Sequence, residues 1–202
     1  MLLRIDLLRH GETQLGHTLR GSTDDVLTEL GKKQMHIALE QSIQNPVQWN
    51  VIFTSPLQRC NAFAQQIADQ YHLPIYQNLN LKEMHFGEWE GIPIAEIYEH
   101  SPELLANFWQ FPTRFTPPKG ETLFDFRDRI LSALKEIQMA ATKYNANQVL
   151  IVTHGGVIKL LKCLAMQKPL DDILKMSAEL AQLNTLYLTE NLELRLTEET
   201  VK

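Results

Sequence analysis

Three stretches far apart in the chain carry side chains suited to chemistry on an anion: Arg9-His10-Gly11-Glu12-Thr13, Thr54-Ser55-Pro56 with Arg59 just beyond, and Thr153-His154-Gly155-Gly156. Two arginines offer planar forks for the oxygens of a phosphate, and a helix N-terminus adds backbone N–H donors. A histidine at the centre of such a cluster can attack phosphorus if one ring nitrogen is unprotonated and a backbone carbonyl holds the other N–H. A second histidine can donate to the charged oxygens of the transferring group, and donors already in place supply most of the rate in such reactions. The glycines beside both histidines would let a ligand approach the backbone closely. Each piece alone also reads as something plainer: a strand end with a solvated arginine, a satisfied histidine at a turn, a surface cation. The three together are what point to a site.

Other chemistries lack their signatures. There is no GxxxxGK[ST] loop for a nucleoside triphosphate, and no HExxH, HxxxH or Asp-x-Asp spacing for a metal. The expected site is cationic, free of metal and of cofactor. The chain has 202 residues, 44% of them apolar, with 19 Lys+Arg against 24 Asp+Glu and a formal charge of −5. Disorder is excluded by that apolar fraction, and a surface built to coat nucleic acid is excluded by the sign of the charge. An anionic ligand therefore has to be held by a local cluster of cations, and the expected partner is a small phosphate monoester. Cys60 and Cys163 are too few for a disulfide framework, lack a CxxC spacing, and read as packing thiols. No apolar run is long enough to span a bilayer and the N-terminus has no signal-peptide layout, so a cytoplasmic protein, monomeric or homodimeric, without membrane association is expected.

The elements that must position these residues are legible in the hydrophobic pattern. Residues 3–8, 51–54 and 149–153 read as buried strands, each followed by a loop and a helical pattern, which argues for a mostly parallel sheet covered on both faces. In such a sheet ligands bind beyond the carboxyl ends of the strands, where the three stretches lie. Ser55-Pro56-Leu57-Gln58 reads as a capping box with proline at the first helical position. Helices are also expected from near Thr28 through Met35, Leu39 and Ile43, from Thr122 through Phe126, Ile130, Leu134 and Ile137, and from Gly156 through Ile158 and Leu161. Residues 183–189 and 192–196 read as an antiparallel hairpin at the sheet edge. Residues 84–118, rich in aromatics and broken by prolines, read as a helical excursion, either covering a pocket or packed as a plain layer.

These residues also carry a resemblance. Leu8-Arg9-His10-Gly11-Glu12-Thr13, Ser55-Pro56-Leu57-Gln58-Arg59-Cys60, Leu81-Lys82-Glu83 with Phe86-Gly87-Glu88-Trp89-Glu90-Gly91, Gly120-Glu121-Thr122 and Val152-Thr153-His154-Gly155-Gly156 resemble, in order, the motifs of the histidine phosphatase superfamily. Arg20-Gly21-Ser22 and Leu27-Thr28-Glu29-Leu30-Gly31 are similar to the segment after the first motif. The resemblance covers nearly the whole chain and implies a single domain over residues 1–202, with a three-layer α/β/α, phosphoglycerate mutase-like fold. It implies that His10 is the nucleophile and forms a phosphohistidine. Arg9, Arg59 and His154 would bind the phosphoryl oxygens and Glu83 would protonate the leaving oxygen; Arg20, Ser22 and the Gly155 N–H are further phosphate donors. Many members carry an asparagine where this chain has Gly16, so one contact is missing or supplied by Arg20, Ser22 or His17. The local wording most resembles bacterial α-ribazole phosphatases, which act in cobalamin nucleotide-loop assembly. The alternatives are a broad-specificity phosphatase and a cofactor-dependent phosphoglycerate mutase, against which the shortness of the chain, the missing asparagine and the lack of an extended tail count. A non-enzymatic phospholigand-binding module has little support.

Overall fold

The computed structural model describes residues 2–42 and 49–197. Its strands are β1 (Leu3–Arg9), β2 (Val51–Thr54), β3 (Ile75–Gln77), β4 (Gln148–Thr153), β5 (Leu183–Leu188) and β6 (Leu194–Arg195). They form one six-stranded sheet in the order β3-β2-β4-β1-β5-β6. The first four are parallel to one another; β5 and β6 run antiparallel at one edge. The three apolar runs and the terminal hairpin thus stand where the pattern puts them. β3 is an addition: it is a half-exposed, three-residue edge strand with no apolar run to announce it.

The helices are α1 (Glu29–Ser42), α2 (Gln58–Tyr71), α3 (Ile94–His100), α4 (Pro102–Gln110), α5 (Leu123–Lys143) and α6 (Gly155–Ala165). Successive strand side chains point to opposite faces, so one strand feeds two cores. Leu8, Ile52, Leu150 and Val152 pack with Met35 and Leu39 of α1 and Phe63 and Ile67 of α2. Ile5, Leu7, Phe53, Val149 and Ile151 pack on the other face with Phe126, Ile130, Leu134 and Ile137 of α5 and Ile158 and Leu161 of α6. The result is the expected three-layer sandwich. Ile43 lies outside the described residues.

Thr122, where the helical pattern begins, caps α5, its side chain accepting from the N–H of Asp125 at 3.1 Å. The capping box at residues 55–58 is not formed. α2 begins at Gln58, with Leu57 at the N-cap position and no capping side chain from its own segment. Asp24 serves instead, its carboxylate accepting from the Gln58 backbone N–H at 2.8 Å and from the Gln58 side chain at 3.0 Å. The Ser55 hydroxyl lies one turn short of the helix, accepting from the Leu57 N–H at 3.4 Å and from the ring of His154 at 2.8 Å.

Residues 84–118 form α3, α4 and a turn at Gly87–Trp89. Trp89, Ile97, Leu105 and Phe108 join the core, while Tyr98 points outward. Gly87, at φ +58°, admits the backbone of residues 118–120, which a side chain there would strike at 2.1 Å. Among the described residues no helix is long and apolar enough to cross a membrane.

The sheet register aligns the site. Arg9 pairs with Thr153 and Thr54 with Val152, so β1, β2 and β4 end on neighbouring rungs. The His10 N–H donates to the Thr153 carbonyl at 3.1 Å and the Ser55 N–H to that of Val152 at 3.0 Å.

Candidate active site

His10 leaves the end of β1 with its ring almost wholly buried. Its Nδ1 lies 2.8 Å from the Gly11 carbonyl, which only accepts; Nδ1 therefore carries the proton and Nε2 keeps its lone pair. Burial is the largest cause driving the His10 pKa down to about 3, and Arg59, Arg9 and Arg20 add to it against the Gly11 hydrogen bond. The ring is a neutral imidazole among three guanidinium groups.

Arg9 and Arg20 line the same cavity as His10. Arg9 is anchored by one Nη1 bond to the carbonyl of Ala178, while its buried Nε has no partner among the described residues. Arg20 donates to the Gly16 carbonyl at 2.8 Å and to the Thr18 hydroxyl at 3.0 Å and lies 3.5 Å from Asp25. Gly16, at φ +60°, thus offers Arg20 its backbone carbonyl and no side chain.

Arg59 and His154 stand behind this front. Arg59 is fully buried and donates to the carbonyls of Thr23 (2.8 Å), Gly21 (2.9 Å) and Arg20 (3.3 Å), and through Nε to His154 Nδ1 at 3.2 Å. Because Nδ1 accepts, His154 carries its proton on Nε2 and donates it to Ser55 Oγ at 2.8 Å. The expectation that His154 presents an N–H to the phosphoryl oxygens is not met in this resting arrangement, since both ring nitrogens are engaged within the protein. Its pKa is held well below the usual value by burial first and then by Arg59. The two imidazoles meet edge to face, 5.4 Å between centroids. Cys60, read as a packing thiol, also lies against the His154 ring, its Sγ 3.7 Å from both nitrogens.

Glu83 enters from the other side. Its carboxylate accepts from the N–H of Gly156, at the N-terminus of α6, at 2.8 Å and from Met84 N–H at 3.0 Å. The glycines have reasons other than ligand approach. A side chain at 156 would lie 2.2 Å from Glu83 Oε1, one at 155 would lie 3.1 Å from the Arg9 guanidinium, and one at 11 would strike the backbone of Gly31 at 2.2 Å. Ser22 is not in the cavity wall; it is exposed, with its hydroxyl 2.9 Å from His85 Nδ1. Gly155, whose first-turn N–H has no intrahelical acceptor, does border the cavity.

Several contributors carry no sequence signal of their own. Arg129 of α5 donates to the carbonyls of Asn80, Lys82 and Glu83 at 2.7–2.8 Å while paired with Glu121, and so fixes the segment bearing Glu83. Lys159, one turn into α6, borders the cavity half-buried. Its charge could have been noticed, but its direction depends on the helix rotation. The cavity itself encloses about 280 Å³. Its floor is Arg9, His10, Arg20 and Glu83, and its walls include Leu19, Phe86, Phe108, Trp109 and Phe126. The aromatic excursion is therefore both a packed layer and a cavity wall. Among the described residues no three His, Cys, Asp or Glu side chains gather as a metal-ion site.

A mostly parallel sheet with a neutral histidine, converging arginines and a carboxylate at its carboxyl edge defines an enzyme of phosphoryl chemistry. Comparison with known proteins places it. The profile of the histidine phosphatase superfamily (branch 1) matches residues 5–197, and the chain belongs to that superfamily. It is 34% identical to the phosphatase PhoE of Bacillus subtilis over 157 residues, 77% of this chain and 73% of that one. It is 30% identical to a glucosyl-3-phosphoglycerate phosphatase of Mycolicibacterium vanbaalenii over 84% of this chain and 76% of that one. The crystal structure of an α-ribazole phosphatase from Shigella flexneri superposes with a TM-score of 0.79 at 22% identity, covering 96% and 95% of the two chains, a likeness of fold. With such relatives the protein is a phosphoric monoester hydrolase.

Proposed function

We propose that the protein is a metal-independent phosphomonoesterase that works through a phosphohistidine at His10. The observation that carries this is the hydrogen bond from His10 Nδ1 to the Gly11 carbonyl, which leaves Nε2 unprotonated within a cluster of arginines. Nε2 attacks phosphorus, the phosphorus–oxygen bond to the leaving group breaks, and the departing oxygen takes a proton from Glu83. Water then attacks the phosphohistidine, giving its proton to Glu83 and releasing inorganic phosphate. Arg9, Arg20 and the Gly155 N–H stabilise the charge on the equatorial oxygens, and the buried Arg59 adds its positive charge from behind them. The test is to trap an acid-labile phosphoenzyme from an aryl phosphate in EDTA. Wild type should label and turn over, whereas His10→Ala should do neither; full turnover by His10→Ala would reject the assignment.

For the substrate, the aromatic wall of Phe86, Phe108 and Trp109 supports a leaving group with a flat apolar part, such as the base of α-ribazole 5′-phosphate. A second reading is favoured by Lys159, whose charge at the cavity edge suits a carboxylate on the leaving group, as in the ester named for the mycobacterial relative. Phosphate release across α-ribazole 5′-phosphate, phosphoglycerates, sugar phosphates and nucleoside monophosphates separates these readings from broad specificity. Dependence on 2,3-bisphosphoglycerate with no phosphate release would indicate a mutase instead.

A further inference from the structure

Glu90 lies outside the cavity, yet its carboxylate collects more hydrogen bonds than Glu83 does. It accepts from the backbone N–H groups of Gly21 (3.0 Å), Ser22 (3.0 Å), Thr23 (3.0 Å) and Phe86 (2.9 Å), and from the Thr23 hydroxyl. His85 Nδ1 is a further neighbour at 3.1 Å. A side chain on residue 21 would strike the Met84 carbonyl oxygen at 1.8 Å and stand 2.6 Å from Glu90 Oε1, so glycine there makes room for both.

The loop 20–23 is used from both sides. Its N–H groups turn to Glu90, and its carbonyls, those of Arg20, Gly21 and Thr23, turn to the guanidinium of Arg59. Peptide dipoles aligned between an anion and a cation strengthen both sets of bonds. Arg59 Nε in turn donates to His154 Nδ1, and that one bond decides which nitrogen of His154 carries the proton.

We propose that Glu90 is a positioning residue: acting through the loop 20–23 it sets Arg59, and through Arg59 it fixes the tautomer of His154. The proposal rests on the reading of Arg59 as a phosphate-stabilising group. Glu90→Gln tests it, because the amide keeps the shape but sets an NH₂ donor against backbone N–H donors and removes the charge. Two readouts are needed on the full chain. The first is the nitrogen-15 spectrum of labelled His154, which reports its tautomer whether or not the protein hydrolyses anything. The second is inhibition of p-nitrophenyl phosphate hydrolysis by inorganic phosphate. In wild type His154 should be protonated on Nε2 alone. In Glu90→Gln a Nδ1-protonated fraction should appear and the inhibition constant for phosphate should rise about tenfold. Thr23→Val, which removes only the hydroxyl bond, should shift both in the same direction by less, and it serves if Glu90→Gln does not fold. An unchanged His154 tautomer, or an unchanged phosphate inhibition constant, in the folded variant overturns the proposal. A wild-type protein without phosphatase activity would instead remove the functional reading, and the tautomer would still decide whether Glu90 controls His154.

Discussion

The carboxylate of Glu83 rests 2.8 Å from the backbone N–H of Gly156, in space that any side chain at position 156 would occupy. A helix N-terminus thereby holds the group proposed to hand a proton to the leaving oxygen. Gly156→Ala should displace Glu83 and slow hydrolysis of alkyl phosphates by roughly 10²-fold, the order of a lost general acid. Steady-state rates on β-glycerophosphate within twofold of wild type would show that the contact is dispensable.

Glu83→Gln makes the same point through the leaving group. It should slow alkyl phosphates by about 10²–10⁴-fold and p-nitrophenyl phosphate far less, because a nitrophenolate departs without a proton. Equal losses on both would mean that Glu83 is not the acid.

Acid should destabilise the protein over a defined window. The unfolded chain binds a proton at His10 below about pH 6.5, whereas the folded chain resists it until about pH 3, so stability falls as pH drops between these values. His154 acts with the same sign. Glu90, lowered from 4.5 to about 2, with burial opposing and the Thr23 hydroxyl foremost among the bonds that lower it, stabilises above 4.5 and loses that contribution as pH falls toward 2. Urea midpoints should therefore decline steadily from pH 7 to 4.5, and His10→Gln should have a shallower slope, by up to about 1.4 kcal/mol per pH unit. A midpoint independent of pH would contradict the buried neutral histidines.

Ser55→Ala would leave the Nε2–H of His154 unpaired in the interior. The expected cost is about 1–3 kcal/mol by chemical denaturation, with the start of α2 intact because Asp24 caps it. A melted first turn of α2 with no other loss would restore Ser55 to the capping role.

Lys159→Met should distinguish carboxylated from uncharged leaving groups. On 3-phosphoglycerate the specificity constant should fall about fivefold or more relative to that on glycerol 3-phosphate, the size expected of one charge-assisted contact. A fall of the same size on both esters would remove Lys159 from substrate recognition.

Much of this was written in local pattern. The apolar runs ending at Leu8, Thr54 and Val152-Thr153 determined three parallel strands, and the residues just past the end of each run determined that His10, Arg59 and His154 would share one edge. Strand polarity and a period of two are properties of short segments, and they survive without knowledge of the rest of the chain. Thr122 capping α5 is equally local.

Tertiary structure decided what distant groups compete for. Ser55 has a capping sequence, but His154, distant in sequence, claims its hydroxyl. Arg59 was expected to turn its fork to the ligand, yet most of its donors go to the carbonyls of a loop whose N–H groups bond to Glu90. Gly156 reads as room for a ligand and is room for Glu83. A hydrogen-bonding group has few partners, and which of several candidates it takes is settled by the positions of all of them at once, which no single stretch of sequence contains.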